Sequence, residues 1–139
     1  MQYKRIMCLD YGDVRIGIAF SDLLQVIASP YDTYTRKSLE QDLEYFKNLT
    51  ISQNVELVVI GLPYNMDGTV GERIEATKKF GELLSNHINL PIEYVDERLS
   101  SVEAEDILAD AHVPSIKRKG LIDKIAAGII LQNYLNSRK

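Results

Sequence analysis

Three acidic positions in this chain stand where elements end or helices face inward. Asp10 closes the short apolar run Ile6-Met7-Cys8-Leu9, and Tyr11-Gly12-Asp13 turns the chain into a second run, Arg15 to Ser21. A carboxylate at the tip of a buried strand is costly unless something pairs with it. A divalent metal, alone or bound to phosphate, is one partner; capping of the following turn through its own backbone is the other. Asp96 and Glu97 end the last extended run, in Asp96-Glu97-Arg98. Asp123 lies in the first turn expected for the C-terminal helix, which is apolar almost all round: Ile122, Ile125, Ala126, Ala127, Ile129, Ile130 and Leu131. Asp123 shares a face with Ala127 and Ile130, at offsets of four and seven, and so points at the sheet rather than into water. Its plainer reading is favourable charge at a helix N-terminus, worth about 0.3–1 kcal/mol.

Clustered carboxylates repel and raise one another's pKa. A site built from three is stable when a divalent cation neutralises it, and hard oxygen ligands suit Mg²⁺ or Mn²⁺. Two such ions roughly 3.5–4 Å apart can activate water and stabilise a leaving alkoxide in phosphodiester cleavage. A zinc site has no support, since His87 and His112 are far apart and Cys8 is the single cysteine. No motif supports a Ser/His/Asp triad. Asp10-Tyr11-Gly12 also resembles the opening of the phosphate loop in actin-like and sugar-kinase ATPases, which enclose a nucleotide between two domains; at 139 residues this chain has length for one. Cys8, inside a strand, reads as buried packing.

The elements that must position these groups are legible from periodicity. Residues 4–10, 14–21 and about 26–35 read as three strands, with Pro30 assigning the third to an edge. A helix begins at Ser38, where Ser38 and Gln41 have capping-box spacing, and presents Leu39, Leu43, Phe46 and Leu49 on one face. Val55 to Ile60 is too apolar for a half-exposed strand and reads as central and parallel. The loop from Gly61 to Gly71 follows. A second helix, with Thr69 and Glu72 placed to cap it, runs to about Asn89 and buries Ile74, Thr77, Phe80, Leu84 and Ile88. A strand spans Ile92 to Asp96; a third helix, with Ser100 and Glu103 as cap, turns Ala104, Ile107, Leu108 and Ala111 inward. Lys117 to Gly120 reads as a basic loop, and the last helix as about Leu121 to Asn136. Three strands followed by alternating helix and strand predict an antiparallel meander extended by two parallel strands through right-handed crossovers.

Composition bounds the rest. With 45% hydrophobic and 26% charged residues, the chain is ordinary for one globular domain with a real core. No apolar run approaches the roughly 18 residues that span a bilayer, and no signal-peptide core precedes a cleavage site. The lone cysteine fits a reducing compartment, so the expected location is cytoplasmic. A net charge of −4 excludes a bulk-basic nucleic-acid coat. Polyanion binding then needs local cations: Arg15, Arg98, Lys117, Arg118 and Lys119 are candidates to hold a nucleic-acid backbone, although the Lys117–Lys119 run is equally readable as a solvated loop. Asn65 and Asp67 either contact substrate or shape their loop, and Tyr11 either stacks on a base or covers the core.

The segments LDYGDVRIGIAFSD (9–22), GLPYNMDGT (61–69), DERLSSVEAE (96–105) and DKIAAGIILQNYL (123–135), in that order, resemble the YqgF family, also called RuvX. The resemblance implies an α/β, RNase H-like fold over residues 1–139: a five-stranded mixed sheet, antiparallel meander plus two parallel strands, flanked by helices. It implies a metal-dependent nuclease using Mg²⁺ or Mn²⁺, associated in bacteria with maturation of the 5′ end of pre-16S ribosomal RNA. The implied partners are nucleic acid (pre-rRNA first, branched DNA second) and the small ribosomal subunit, with the protein a monomer or a homodimer and no membrane involved. Carried over by position, the family's acids fall on Asp10, on the Asp96-Glu97-Arg98 motif and on Asp123. Strand alternation puts Asp96 and Glu97 on opposite faces. Glu97 is the preferred ligand, its longer arm reaching back past the strand end, with Asp96 as the alternative left to pair with Arg98 or Arg15. Val14 departs from the family, where many relatives have a basic residue. Two other functions stay open: Holliday-junction resolution, which needs two sites and hence a dimer, and a non-catalytic RNA-binding assembly factor.

Overall fold

The computed structural model describes residues 3–64, 67, 71–97 and 100–138, without the side chains of 100–102, 115, 116 and 119. The chain forms β1 (Arg5–Asp10), β2 (Arg15–Ser21), β3 (Ala28–Thr35), α1 (Leu39–Ser52), β4 (Val55–Leu62), α2 (Glu72–Ile88), β5 (Ile92–Asp96), α3 (Ser100–Asp110) and α4 (Ser115–Ser137). The strands make one sheet in the order β3-β2-β1-β4-β5. β1 pairs antiparallel with β2 and β2 with β3, while β4 runs parallel to both β1 and β5. The architecture is the RNase H-like mixed sheet expected from the sequence. Pro30 sits in the edge strand β3, where a missing N–H costs no central ladder bond.

Strand alternation divides the core in two. Met7, Leu9, Ile16, Ile18, Val58 and Ile60 pack with Phe46 of α1 and with Phe80 and Leu84 of α2. On the opposite face Ile6, Cys8, Ala19 and Val59 pack with Ala127, Ile130, Leu131 and Leu135 of α4. β1 and β4 are covered on both sides, which is why they are apolar almost without interruption. Ser38 caps α1 as its spacing predicts: its Oγ accepts from the Gln41 N–H, and Gln41 reaches back to the Ser38 N–H.

Four local expectations are revised. α4 begins at Ser115, so Lys117–Lys119 lies in its first turns and is not a loop; Lys and Arg are good helix formers, and the helix carries them through Gly120 at a cost of about 1 kcal/mol. Asp123 is therefore two turns inside the helix, beyond the reach of the N-terminal dipole. The cap of α2 is Gly71, with no side-chain hydrogen bond; Thr69 lies outside the described residues. Among the described side chains of α3, Ala104 and Leu108 alone are buried, where the helix packs on α4; Ile107 is 49% exposed and Ala111 lies past the helix end, exposed. Among the described residues no helix is long and apolar enough to cross a membrane.

Candidate active site

Asp10 ends β1 on the face that carries Ile6 and Cys8, the face covered by α4. Its neighbours across the sheet are glycines. Gly17 of β2 is its antiparallel partner, and Gly61 of β4 follows the Leu9–Ile60 pair. Each glycine admits another part of the chain. A Cβ on Gly17 would lie 1.9 Å from the Asp123 carbonyl oxygen, so only a glycine lets α4 approach β2 at this point. A Cβ on Gly61 would lie 3.0 Å from the Glu97 Cβ and 3.1 Å from its Cγ. The Glu97 N–H donates to the Leu62 carbonyl at 3.2 Å, which carries the β5 chain across the end of β4. Asp123 and Glu97 thus enter beside Asp10 from its two sides.

Side-chain direction separates the two acids of the Asp96-Glu97 pair. Tyr94 packs with the α1/α2 core and Val95 with the α4 core. Alternation then turns Glu97 to the α4 face with Asp10, and Asp96 to the opposite face, where it is exposed. The electrostatics agree. Burial pushes the Asp10 pKa well above the ordinary carboxylate range; the Glu97 charge, a hydrogen bond with Glu97 and the Asp123 charge push it further, and Arg73 opposes them. The Cys8 thiol is raised by burial first, then by Asp10 and Glu97, so it is an inert packing group.

Asp123 is turned toward Arg15. The Arg15 Nε donates to Asp123 Oδ2 at 2.8 Å, with the two side chains 31% and 22% exposed. Among the described residues no three acidic, imidazole or thiol side chains stand close enough together to enclose a metal ion. The donor set nonetheless fits a hard divalent cation. The Asp10 and Glu97 carboxyl groups lie within hydrogen-bonding reach of each other, and Asp123 adds a third acidic group beside them.

The other predicted contacts divide. Arg15 belongs to the acidic cluster through Asp123. Arg118 is committed elsewhere: its Nε donates to the Val113 carbonyl at 2.7 Å and its Nη1 to Glu105 at 3.0 Å, tying α4 to α3. Lys117 is exposed on α4. Lys119 is helical, its side chain outside the described ones, and Asn65 and Arg98 lie outside the described residues altogether. Asp67 is exposed. Tyr11 covers the core: its ring lies 4.8 Å from that of Phe80, and its hydroxyl accepts from Arg36 Nη1 at 2.6 Å.

Sequence reasoning passed over two arginines. Arg73, in the first turn of α2, is exposed, and its charge reaches Asp10. Arg36 is held by Asp42, which is fully buried and accepts from Arg36 Nε at 3.1 Å, the Tyr34 hydroxyl at 2.8 Å and the Lys37 N–H at 2.9 Å. Through Nη1 Arg36 also holds the Gly12 carbonyl at 3.3 Å, fixing the turn that follows Asp10. No local pattern singles out Arg73, which lies off the buried stripe of Ile74, Thr77, Phe80 and Leu84.

Residues 4–137 match the profile of a family described as RuvX, Holliday junction resolvase. A protein of Halothermothrix orenii named "Putative pre-16S rRNA nuclease" is 51% identical over 132 residues, covering 95% of this chain and 94% of its own. A relative from Crocosphaera subtropica with the same name is 47% identical, covering 94% and 92%. Among solved structures, Thermus thermophilus RuvC in complex with a Holliday junction substrate superposes with a TM-score of 0.58 at 11% identity, over 98% of this chain and 96% of that one. The resemblance to that structure is one of fold.

Proposed function

This chain belongs to the RuvX family, and on that premise we propose that it is a metal-dependent nuclease whose centre is Asp10, Glu97 and Asp123. One observation carries the reading: the carboxyl groups of Asp10, at the end of β1, and of Glu97, just past the end of β5, meet beside a third acid, Asp123, where β1, β4 and β5 end. Mg²⁺ or Mn²⁺ held there by the three carboxylates would supply an activated water and neutralise charge on the leaving oxygen. Asp10 is the inner ligand, fixed by its strand and by the Arg36-held turn behind it. Glu97 reaches over Gly61 from the far side, and Asp123 arrives on α4 over Gly17. Arg73 adds positive charge facing the cluster, suited to a phosphate oxygen.

The substrate we propose is pre-16S ribosomal RNA, which the names of the relatives support; cleavage at its 5′ end, in the cytoplasm and in association with the small ribosomal subunit, completes the proposal. The family's description as a Holliday junction resolvase supports a second reading, cleavage of branched DNA by a homodimer. Incubating wild-type protein and Mn²⁺ with labelled pre-16S RNA, and separately with a labelled four-way DNA junction, discriminates the two. Cutting of the RNA near the mature 5′ end supports the first reading. Symmetric cutting of the junction alone refutes it in favour of the second.

A further inference from the structure

The geometry points to Arg15 as a positioning residue that holds Asp123 off the metal site and releases it when a substrate phosphate takes the guanidinium. The inference rests on the metal-dependent reading above and concerns how the site is completed. Arg15 and Gly17 lie on one face of β2, and the backbone of Asp123 rests on Gly17. The close approach that brings Asp123 to Asp10 therefore also brings it to Arg15, and the 2.8 Å bond from Nε engages Oδ2, one of the two oxygens of the carboxylate.

Arg15 is suited to let go. Its side chain is 31% exposed, and among the described residues no other side-chain bond or ion pair holds it. Arg36 and Arg118 are fixed by several bonds each, to Asp42, Tyr11 and Gly12, and to Val113 and Glu105. A phosphate diester offers a guanidinium the same two-oxygen geometry as a carboxylate. Transfer of Arg15 from Asp123 to the phosphate moves one positive charge onto the substrate and exposes one negative charge to the metal. Both changes favour the loaded site, so substrate and metal bind with positive coupling, and by linkage each strengthens the other equally.

Two binding cycles on the full chain test this, with no turnover required. Wild type, Arg15→Gln, Asp123→Asn and the double variant are titrated with Mn²⁺ and read by electron paramagnetic resonance of the free ion. Arg15→Gln should tighten Mn²⁺ binding by about two- to fivefold, the factor expected for loss of a half-exposed ion pair. In the Asp123→Asn background the same change should have no effect. The four proteins are then titrated with a labelled pre-16S RNA fragment in chelator. Asp123→Asn should tighten RNA binding by a similar factor, only while Arg15 is present. Arg15→Lys keeps the charge but not the fork, and should fall between Arg15 and Gln in both cycles.

Equal tightening by Arg15→Gln with and without Asp123 would mean general charge repulsion and overturn the inference. Weaker Mn²⁺ binding in Arg15→Gln would also overturn it. If neither wild type nor Arg15→Gln binds Mn²⁺, the metal-dependent reading itself fails and takes the inference with it. Binding by all four proteins without coupling leaves that reading intact and removes only the role of Arg15.

Discussion

Replacing Asp10 by Asn should make the protein more stable. Asp10 is an acid whose folded environment opposes its charge, through burial first and then through Glu97 and Asp123, with Arg73 a partial offset. Its folded pKa lies above the unfolded value, roughly 3.9. Between those two values the native state binds more protons than the unfolded one, so stability falls as pH rises through the window. Above the window the fold bears the whole cost of the buried charge. Asn carries no charge, and its amide can donate to Glu97. The relief should be about 1–3 kcal/mol at neutral pH, the scale of an uncompensated buried polar group. For a domain of this size that raises Tm by roughly 3–15 °C. Thermal unfolding followed by circular dichroism at pH 8 and pH 5, in chelator, should show the larger gain at pH 8. Mg²⁺ should then stabilise wild type and leave Asp10→Asn unchanged, since a ligand stabilises only the state that binds it. An Asn variant less stable than wild type at pH 8, or a gain independent of pH, would refute the reasoning.

Asp42 should behave oppositely. Burial works against its charge, but the Lys37 N–H, the Tyr34 hydroxyl and Arg36 outweigh burial and lower its pKa. Its contribution is present above the unfolded pKa and is lost as pH falls through the folded one. Asp42→Asn, which leaves Arg36 without its counter-charge, should cost about 3–5 kcal/mol at pH 7 by denaturant titration. Glu97→Gln should slow single-turnover cleavage by more than about 100-fold, beyond what loss of an outer partner causes, whereas Asp96→Asn should stay within about twofold. Gly17→Ala sets a methyl against the Asp123 carbonyl; it should cost about 1–3 kcal/mol and, by moving α4, abolish activity in protein that is still folded by circular dichroism. Arg73→Ala removes the charge that opposes protonation of Asp10, so the acid limb of the pH–rate profile should move to higher pH.

The sheet was legible because its signals are local and redundant: unbroken apolar runs at β1 and β4, a proline in the edge strand, a capping box at Ser38. Asp10 was legible for the same reason, an acid closing such a run. The start of α4 was not, since Lys117-Arg118-Lys119-Gly120 has the composition of a solvated loop and becomes helix only by docking on α3 and β3. Arg118 makes the first contact, and the Gly120 carbonyl, accepting from the Thr33 hydroxyl at 2.6 Å, makes the second. Glu97 was preferred to Asp96 on the length of its arm, since alternation separates the two without saying which face of β5 meets α4; the packing of Tyr94 and Val95 shows that Glu97 continues the α4 face. The pairing of Arg15 with Asp123, 108 residues apart, is a contact that no local pattern encodes.

Metal-dependent hydrolysis at Asp10 is tested most directly by cleavage of a labelled RNA spanning the 5′ end of pre-16S ribosomal RNA, wild type beside Asp10→Asn, with Mn²⁺ and with chelator. Cutting by wild type that requires Mn²⁺ and vanishes in a folded Asp10→Asn is the predicted result. Equal cutting by both proteins, or cutting that survives chelation, would contradict it.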